Sequence, residues 1–300
     1  MIKKLFCLLV IGGLSTTVYA GGVGTTGAQF LKIGPSARSL GMAGAFSAVA
    51  DATDSTYYNP AGLVNVNRME VSATYLQYFQ DVSYGFISGA KPLGEKAAVG
   101  AAITYLSVAS IEKRAGDTAI PDSTFGAMDQ ALTISYARKE VIKKLAVGGN
   151  IKLLSQSIDT KSASSFAIDV GGLYSLKDNL SLALNVQNIG SGVKFDKETD
   201  PLPMNLKLGV AYRPNDKLLV AGDIDQYVTD QILYVAIGAE YQIIKILTLR
   251  AGYKYGYDTS LGTVFSIGLG VNLSDFGLDY AFVPMGDLGS TSRITILKKF

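Results

Sequence analysis

From about residue 69 to the end of the chain, apolar and polar residues alternate in segments of roughly ten, the period-2 pattern of strands with one covered face. Leu180, Leu182, Leu184 and Val186 fall on one face of such a segment, with Ser181, Ala183, Asn185 and Gln187 on the other. The division recurs as Leu206, Leu208, Val210 and Tyr212 against Lys207, Gly209, Ala211 and Arg213. It recurs again as Leu247, Leu249, Ala251 and Tyr253 against Thr248, Arg250, Gly252 and Lys254, and as Phe265, Ile267, Leu269 and Val271 against Ser266, Gly268, Gly270 and Asn272. The segments predict strands over 69–79, 81–91, 96–109, 127–138, 145–157, 163–176, 179–189, 203–213, 216–225, 230–243, 246–257, 262–272, 275–284 and 289–300, fourteen in all. The hairpin at Gln80-Asp81 and the split between Ile243 and Lys245 are the faintest boundaries, which brackets the count between 12 and 16.

The connections add a second pattern. Tight turns rich in Gly, Pro, Asn and Asp stand at every second junction: Lys91 to Lys96, Lys177-Asp178-Asn179, Arg213 to Lys217 and Ser274-Asp275. Several intervening junctions are longer and more polar, notably Ile111 to Phe125 and Gly190 to Pro203. Alternating short turns and long loops fit an all-β transmembrane antiparallel barrel with both termini in the periplasm. A cation on the lipid face at mid-bilayer costs roughly 2 to 4 kcal/mol, so charges within such strands must turn inward. Lys207, Asp223, Asp225, Glu240, Arg250, Lys254 and Asp279 all lie opposite the aliphatic rows, where their mixed signs allow pairing across a lumen. The competing reading is a soluble periplasmic β protein with one solvated face. Tyr136, Tyr174, Tyr212, Tyr241 and Tyr257 lie near strand ends, as suits side chains at headgroup level, although tyrosine is also a common strand residue. Phe300, an aromatic last residue on a final strand, resembles the signal read by barrel-assembly machinery, with Lys298 interrupting the alternation before it.

Residues 1–20 carry the three parts of a secretory signal: basic Lys3 and Lys4, an apolar run from Leu5 to Ile11, and the small-residue exit Val18-Tyr19-Ala20. The run is short of the roughly 20 residues of a membrane-spanning helix. Its removal takes away the only cysteine, Cys7, and with it any disulfide or thiolate ligand. The chain has no histidine, so imidazole-based acid–base catalysis, triads and most zinc sites are excluded. A two-carboxylate hydrolase built on Asp223 and Asp225 is the remaining enzymatic alternative, but lumen carboxylates are ordinary in barrels. Without Lys3 and Lys4 the 27 basic residues become 25, against 25 acidic ones, and no basic stripe suggests a nucleic-acid partner. No phosphate-binding glycine loop or other cofactor motif occurs. Asp196 and Asp200 read as solvated loop charge, with loop calcium the alternative.

Residues 21–68 depart from the strand pattern. Ser36 to Ala50 is rich in Ala, Gly and Ser, with Ser36 placed to cap a short helix. Asp51 to Leu63 is loop-forming through Asn59-Pro60 and Ala61-Gly62. Ahead of a barrel, such a segment is suited to fold within the lumen as a plug. Gly41-Met42-Ala43-Gly44-Ala45, Ala48 to Ala52, Ser55-Thr56 and Asn59-Pro60-Ala61-Gly62-Leu63 resemble the N-terminal hatch signature of the FadL-type long-chain fatty acid transporters. The approach Ile33-Gly34-Pro35-Ser36-Ala37-Arg38 is closer to the PorV/PorQ branch of that superfamily.

This resemblance implies a fourteen-stranded barrel over 69–300 plugged by a helical hatch over 21–68, with Gly41, Ala45, Asp51, Asn59, Pro60, Ala61 and Gly62 in the hatch motif. Two functions follow as expectations: a passive, non-enzymatic outer-membrane conduit for hydrophobic small molecules, or an accessory of protein secretion of type IX kind, acting through protein contacts. The partners implied are outer-membrane lipid, the assembly machinery, and either a hydrophobic ligand or secretion proteins.

Overall fold

Each alternating segment becomes one strand, because alternation puts every second side chain on the same side of the pleat. The structure, a computed structural model, describes residues 24–77, 82–256, 264–284 and 289–300. The signal-like segment 1–20, the Gln80-Asp81 hairpin tip and Tyr257 lie outside the described residues. The strands are β1 (Glu70–Gln77), β2 (Val82–Leu93), β3 (Ala97–Lys113), β4 (Ser123–Ile142), β5 (Leu145–Ile158), β6 (Lys161–Lys177) and β7 (Leu180–Gly190). There follow β8 (Asn205–Asn215), β9 (Leu218–Tyr227), β10 (Ile232–Ile244), β11 (Leu247–Gly256), β12 (Val264–Leu273), β13 (Phe276–Pro284) and β14 (Ser290–Lys299). All pair antiparallel with their sequence neighbours, and β1 closes on β14 from Glu70↔Lys299 to Gln77↔Ser292, giving a closed barrel of fourteen strands.

The outside of the wall is apolar. Ile103, Leu132, Leu153 and Phe166 face one another directly across β3 to β6, and each is about half exposed. Left in water, such rows would forfeit roughly 25 cal/mol for each Å² of apolar surface. No described helix is long and apolar enough to cross a membrane, so any crossing is made by strands. Tyr136, Tyr174, Tyr212 and Tyr241 point outward near the tight turns on β4, β6, β8 and β10. Lys298, the break in the last strand's alternation, sits 3.9 Å from the Phe276 ring centre, with Phe300 on its other side at 5.8 Å. Its charge is thereby accommodated at the turn end.

One expectation needs correction. The polar stretch from Ile111 to Phe125 is not all loop: Ile111↔Phe125, Glu112↔Thr124 and Lys113↔Ser123 pair as strand, beyond a bulge at Ser110. Outside lipid both faces of a strand meet water, so the alternation that marks strands disappears. The wall is consequently tall at β3 and β4, of 17 and 20 residues, and low at β1, of 8.

The N-terminal segment lies inside. It begins at the loop end, where Gly27 N–H donates to Pro201 O at 2.9 Å. A short helix, Ala37–Gly41, packs on β11 to β14, capped as its sequence suggests by Ser36 Oγ accepting from Ser39 N. A second helix, Ser55–Tyr58, and a 3-10 turn, Pro60–Asn65, pack against β3 to β6 before the chain enters β1 at the turn end.

Candidate functional site: the hatch and the divided lumen

Wall glycines seat the inner segment. Gly238 and Gly252 form a direct cross-strand pair between β10 and β11, and a Cβ on either would come under 3.0 Å from Met42 backbone. Gly148 and Gly171 form a second such pair between β5 and β6, where added Cβ atoms would strike Pro60 and Asn59 respectively. Gly41 Cα lies against Gly268 on β12. Interior glycines weaken strands, and here they let two backbones touch. Gly62 has the same use inside the hatch, since a Cβ there would meet the Ala50 carbonyl.

Wall amides then take up hatch carbonyls. Asn150 Nδ2 donates to Thr56 O at 2.8 Å, Gln187 Nε2 to Tyr57 O at 2.5 Å and Asn185 Nδ2 to Tyr58 O at 2.8 Å. Three successive carbonyls at a helix C-terminus, which have no intrahelical partner, are satisfied from β5 and β7. Gln187 and Asn188 both turn inward because β7 bulges opposite Asp169, with Asn188 in the left-handed region. Asn59 is fully buried: its Oδ1 caps Ala61 N–H at 3.1 Å, while Nδ2 reaches Ser47 O at 3.0 Å and Gly172 O at 3.2 Å. Pro60, Ala61 and Ala45 are buried against the same wall and core.

The charged residues form chains of alternating sign. Asp51 pairs with Arg38 at 2.5 Å, Arg38 with Glu240 at 2.8 Å, Glu240 with Arg250 at 2.7 Å and Arg250 with Asp279 at 2.6 Å. This chain joins hatch to β10, β11 and β13. On β8 and β9, Lys207 pairs with Asp225 at 2.9 Å, while Asp223 Oδ2 accepts Phe46 N–H, Ser47 N–H and Ser47 Oγ–H at 3.2, 2.9 and 2.5 Å. Lys254 lies over the Tyr234 ring at 4.3 Å. Burial pushes the hatch carboxyl of Asp54 up to about 6, against the pull of Ser36 and Arg38.

Sequence reading named Arg38 only within the Ile33–Arg38 approach and Asn185 and Gln187 only as polar-face positions, and it foresaw neither their bonds nor the glycine pairs. It also missed the Gly190 to Pro203 loop turning inward, where Val193 and Leu202 join Phe30, Leu31, Ala163 and Leu154 in one apolar cluster. Glycine in mid-strand was the available signal for the seats. Phe300 is exposed at the turn end, its N–H donating to Met69 O at 2.9 Å.

The hatch divides the lumen. Toward the turns lies a polar cavity of about 600 Å³, lined by the Arg38 chain together with Arg213, Asn272 and Lys299. Toward the loops lies a cavity of about 420 Å³ bounded by Ile33, Leu40, Tyr57, Tyr227, Tyr234, Ile232 and Val283, with Lys207, Lys254, Arg293 and Asp225 at its polar side. The two share no lining residue.

Solved structures share this fold at low identity. The Ralstonia pickettii toluene transporter TbuX is 16% identical, with a TM-score of 0.65, covering 89% of this chain and 98% of its own. The P. putida toluene transporter TodX is 16% identical at TM-score 0.66, with 87% and 97% covered. A Pseudomonas aeruginosa FadL homologue is 13% identical at TM-score 0.64, with 89% and 98% covered. No curated protein sequence matches the chain. The family model described as type IX secretion system protein PorV matches residues 19–229, well over half of the 300 residues, and the chain therefore belongs to the PorV family.

Proposed function

We propose that the chain is exported through a cleaved signal over residues 1–20 and spans the outer membrane, with its turn end in the periplasm. There it serves protein secretion through contacts with other proteins, without catalysing a reaction. The family match over residues 19–229 carries this reading. The hatch supports it: seated on glycine pairs and tied to the wall by alternating charges, it makes a scaffold of the barrel, while β3 to β6 stand above the lipid belt as a platform. Deleting the gene and following exported proteins tests it. Their arrest in the periplasm is expected, and normal surface delivery would overturn the reading.

The loop-end cavity favours a second reading, a conduit for hydrophobic small molecules. Its apolar and aromatic lining suits such a ligand, and the fold is shared with proteins described as toluene transporters. Uptake of labelled toluene and of a labelled long-chain fatty acid by the deletion strain decides it, and unchanged uptake of both removes it.

A further inference from the structure

The tall wall ends in an open strand edge. Lys161–Phe166 of β6 pair with β5, from Ile158↔Lys161 to Leu153↔Phe166. β7 joins β6 only from Ala167↔Gly190 onward. Among the described residues, Lys161–Ser164 make no main-chain bond on the β7 side, and the cover beyond β7 stops at Ser165, whose Oγ donates to Ser191 O. Four residues at about 3.3 Å each make an open ladder about 13 Å long.

This stretch stands in water. The outward row Leu132, Leu153, Phe166 is apolar, but the next row toward the loops, Gln130, Ser155 and Ser164, again in direct register, is polar. Open edges in natural sheets are normally blunted by proline, bulges or charge. The opposite flank of the same wall follows that rule, with left-handed Ser110 and charged Glu112 and Lys113. Lys161–Ser165 has no proline and no positive-φ residue, and its one charge, Lys161, is at the tip. On its lumen side Ala163 packs with Val193, and Phe195 lies half-buried against the same cluster.

We propose that this edge takes up, by main-chain pairing, an extended strand of an exported polypeptide whose residues alternate apolar and polar, the apolar ones lying toward Val193 and Phe195. A strand is the occupant that offers N–H and C=O groups at the ladder's spacing. A second copy in the same membrane does not suit. A two-fold axis along the membrane normal sets the two edges parallel and in register, so that N–H opposes N–H. The proposal deepens the secretion reading and rests on it for the partner's source.

The test places a photo-crosslinking residue at Ser162 and, separately, at Ser164 of the full chain in its native membrane. Adducts are expected on exported polypeptides, at partner positions two residues apart for the two probes. Of Ala163→Pro and Ser164→Pro, the variant that removes an edge-facing N–H keeps its heat-modifiable folded band and lowers adduct yield about tenfold. Adducts only on lipopolysaccharide or on this chain itself, adducts without the two-residue step, or an undiminished yield in a folded proline variant would each overturn the edge proposal. Normal secretion in the deletion strain would instead sink the secretion reading, whichever pattern the adducts show.

Discussion

Replacing Gly148 by alanine tests whether the hatch is held by contact with the wall. The new Cβ would lie 2.5 Å from Ala61 N, so wall and hatch must part by about 1 Å to restore ordinary contact. Such overpacking costs about 1 to 3 kcal/mol if the hatch stays seated. If it lifts, the bonds from Asn59 Nδ2 to Gly172 O and from Asn150 and Asn185 to the hatch carbonyls go with it, at about 1 kcal/mol each. Those bonds oppose lifting in parent and variant alike, so the strain on the seated state alone raises the unseated population, by roughly one to two orders of magnitude. Gly252→Ala acts at the other seat, against Met42 and Ala43, and the two changes should be nearly additive. Planar-bilayer conductance and protease sensitivity of residues 24–66 read the effect. Brief openings and faster cleavage are expected, strongest in the double variant. Gly149→Ala on the same strand, whose Cβ would meet nothing nearer than Asp169 O at 3.4 Å, serves as the control. A Gly148→Ala protein as quiet and as resistant as the parent would refute the seating argument.

Arg38→Ala breaks the ionic chain between hatch and wall and should lower stability in detergent by about 1 to 2 kcal/mol, a figure discounted for the polar cavity beside it; an unchanged denaturation midpoint contradicts this. Asp54 titrates near 6 when folded, above its ordinary value, so its stabilising contribution is complete below about pH 4 and lost as pH rises through 6. At neutral pH the charged group costs about 3 kcal/mol, and Asp54→Asn should raise the melting temperature more at pH 7.5 than at pH 4; an equal gain at both would show that burial does not perturb it. Ile237, exposed on the outer face of β10, should tolerate alanine but not lysine, which costs about 2 to 4 kcal/mol when refolding into vesicles is measured.

The barrel was legible because lipid imposes one rule along every strand, and that rule leaves the mark seen in Leu180 to Gln187 and in Leu247 to Lys254. The rule lapses at Ile111 to Phe125, above the belt, and there the strand was read as loop. The inside of the barrel was harder to see. Asp223 and Glu240 announce an inward face by their charge, but their hatch partners, Ser47 and Arg38, lie far away in sequence. Gly148 and Gly171 look like ordinary strand glycines until their pairing across β5 and β6 sets them under Pro60. Asn150, Asn185 and Gln187 look only polar, although each answers one carbonyl of a helix more than ninety residues earlier.

The most direct measurement is a spin-label walk along β10, from Ile232 to Tyr241, in the protein reconstituted in bilayers without Cys7, its single cysteine. Oxygen collision rates should peak at Leu233, Val235 and Ile237 and drop at Ala236 and Gly238, which face the hatch. A flat profile, or one in which a water-soluble relaxant reaches the outward positions best, would mean that lipid does not cover this wall.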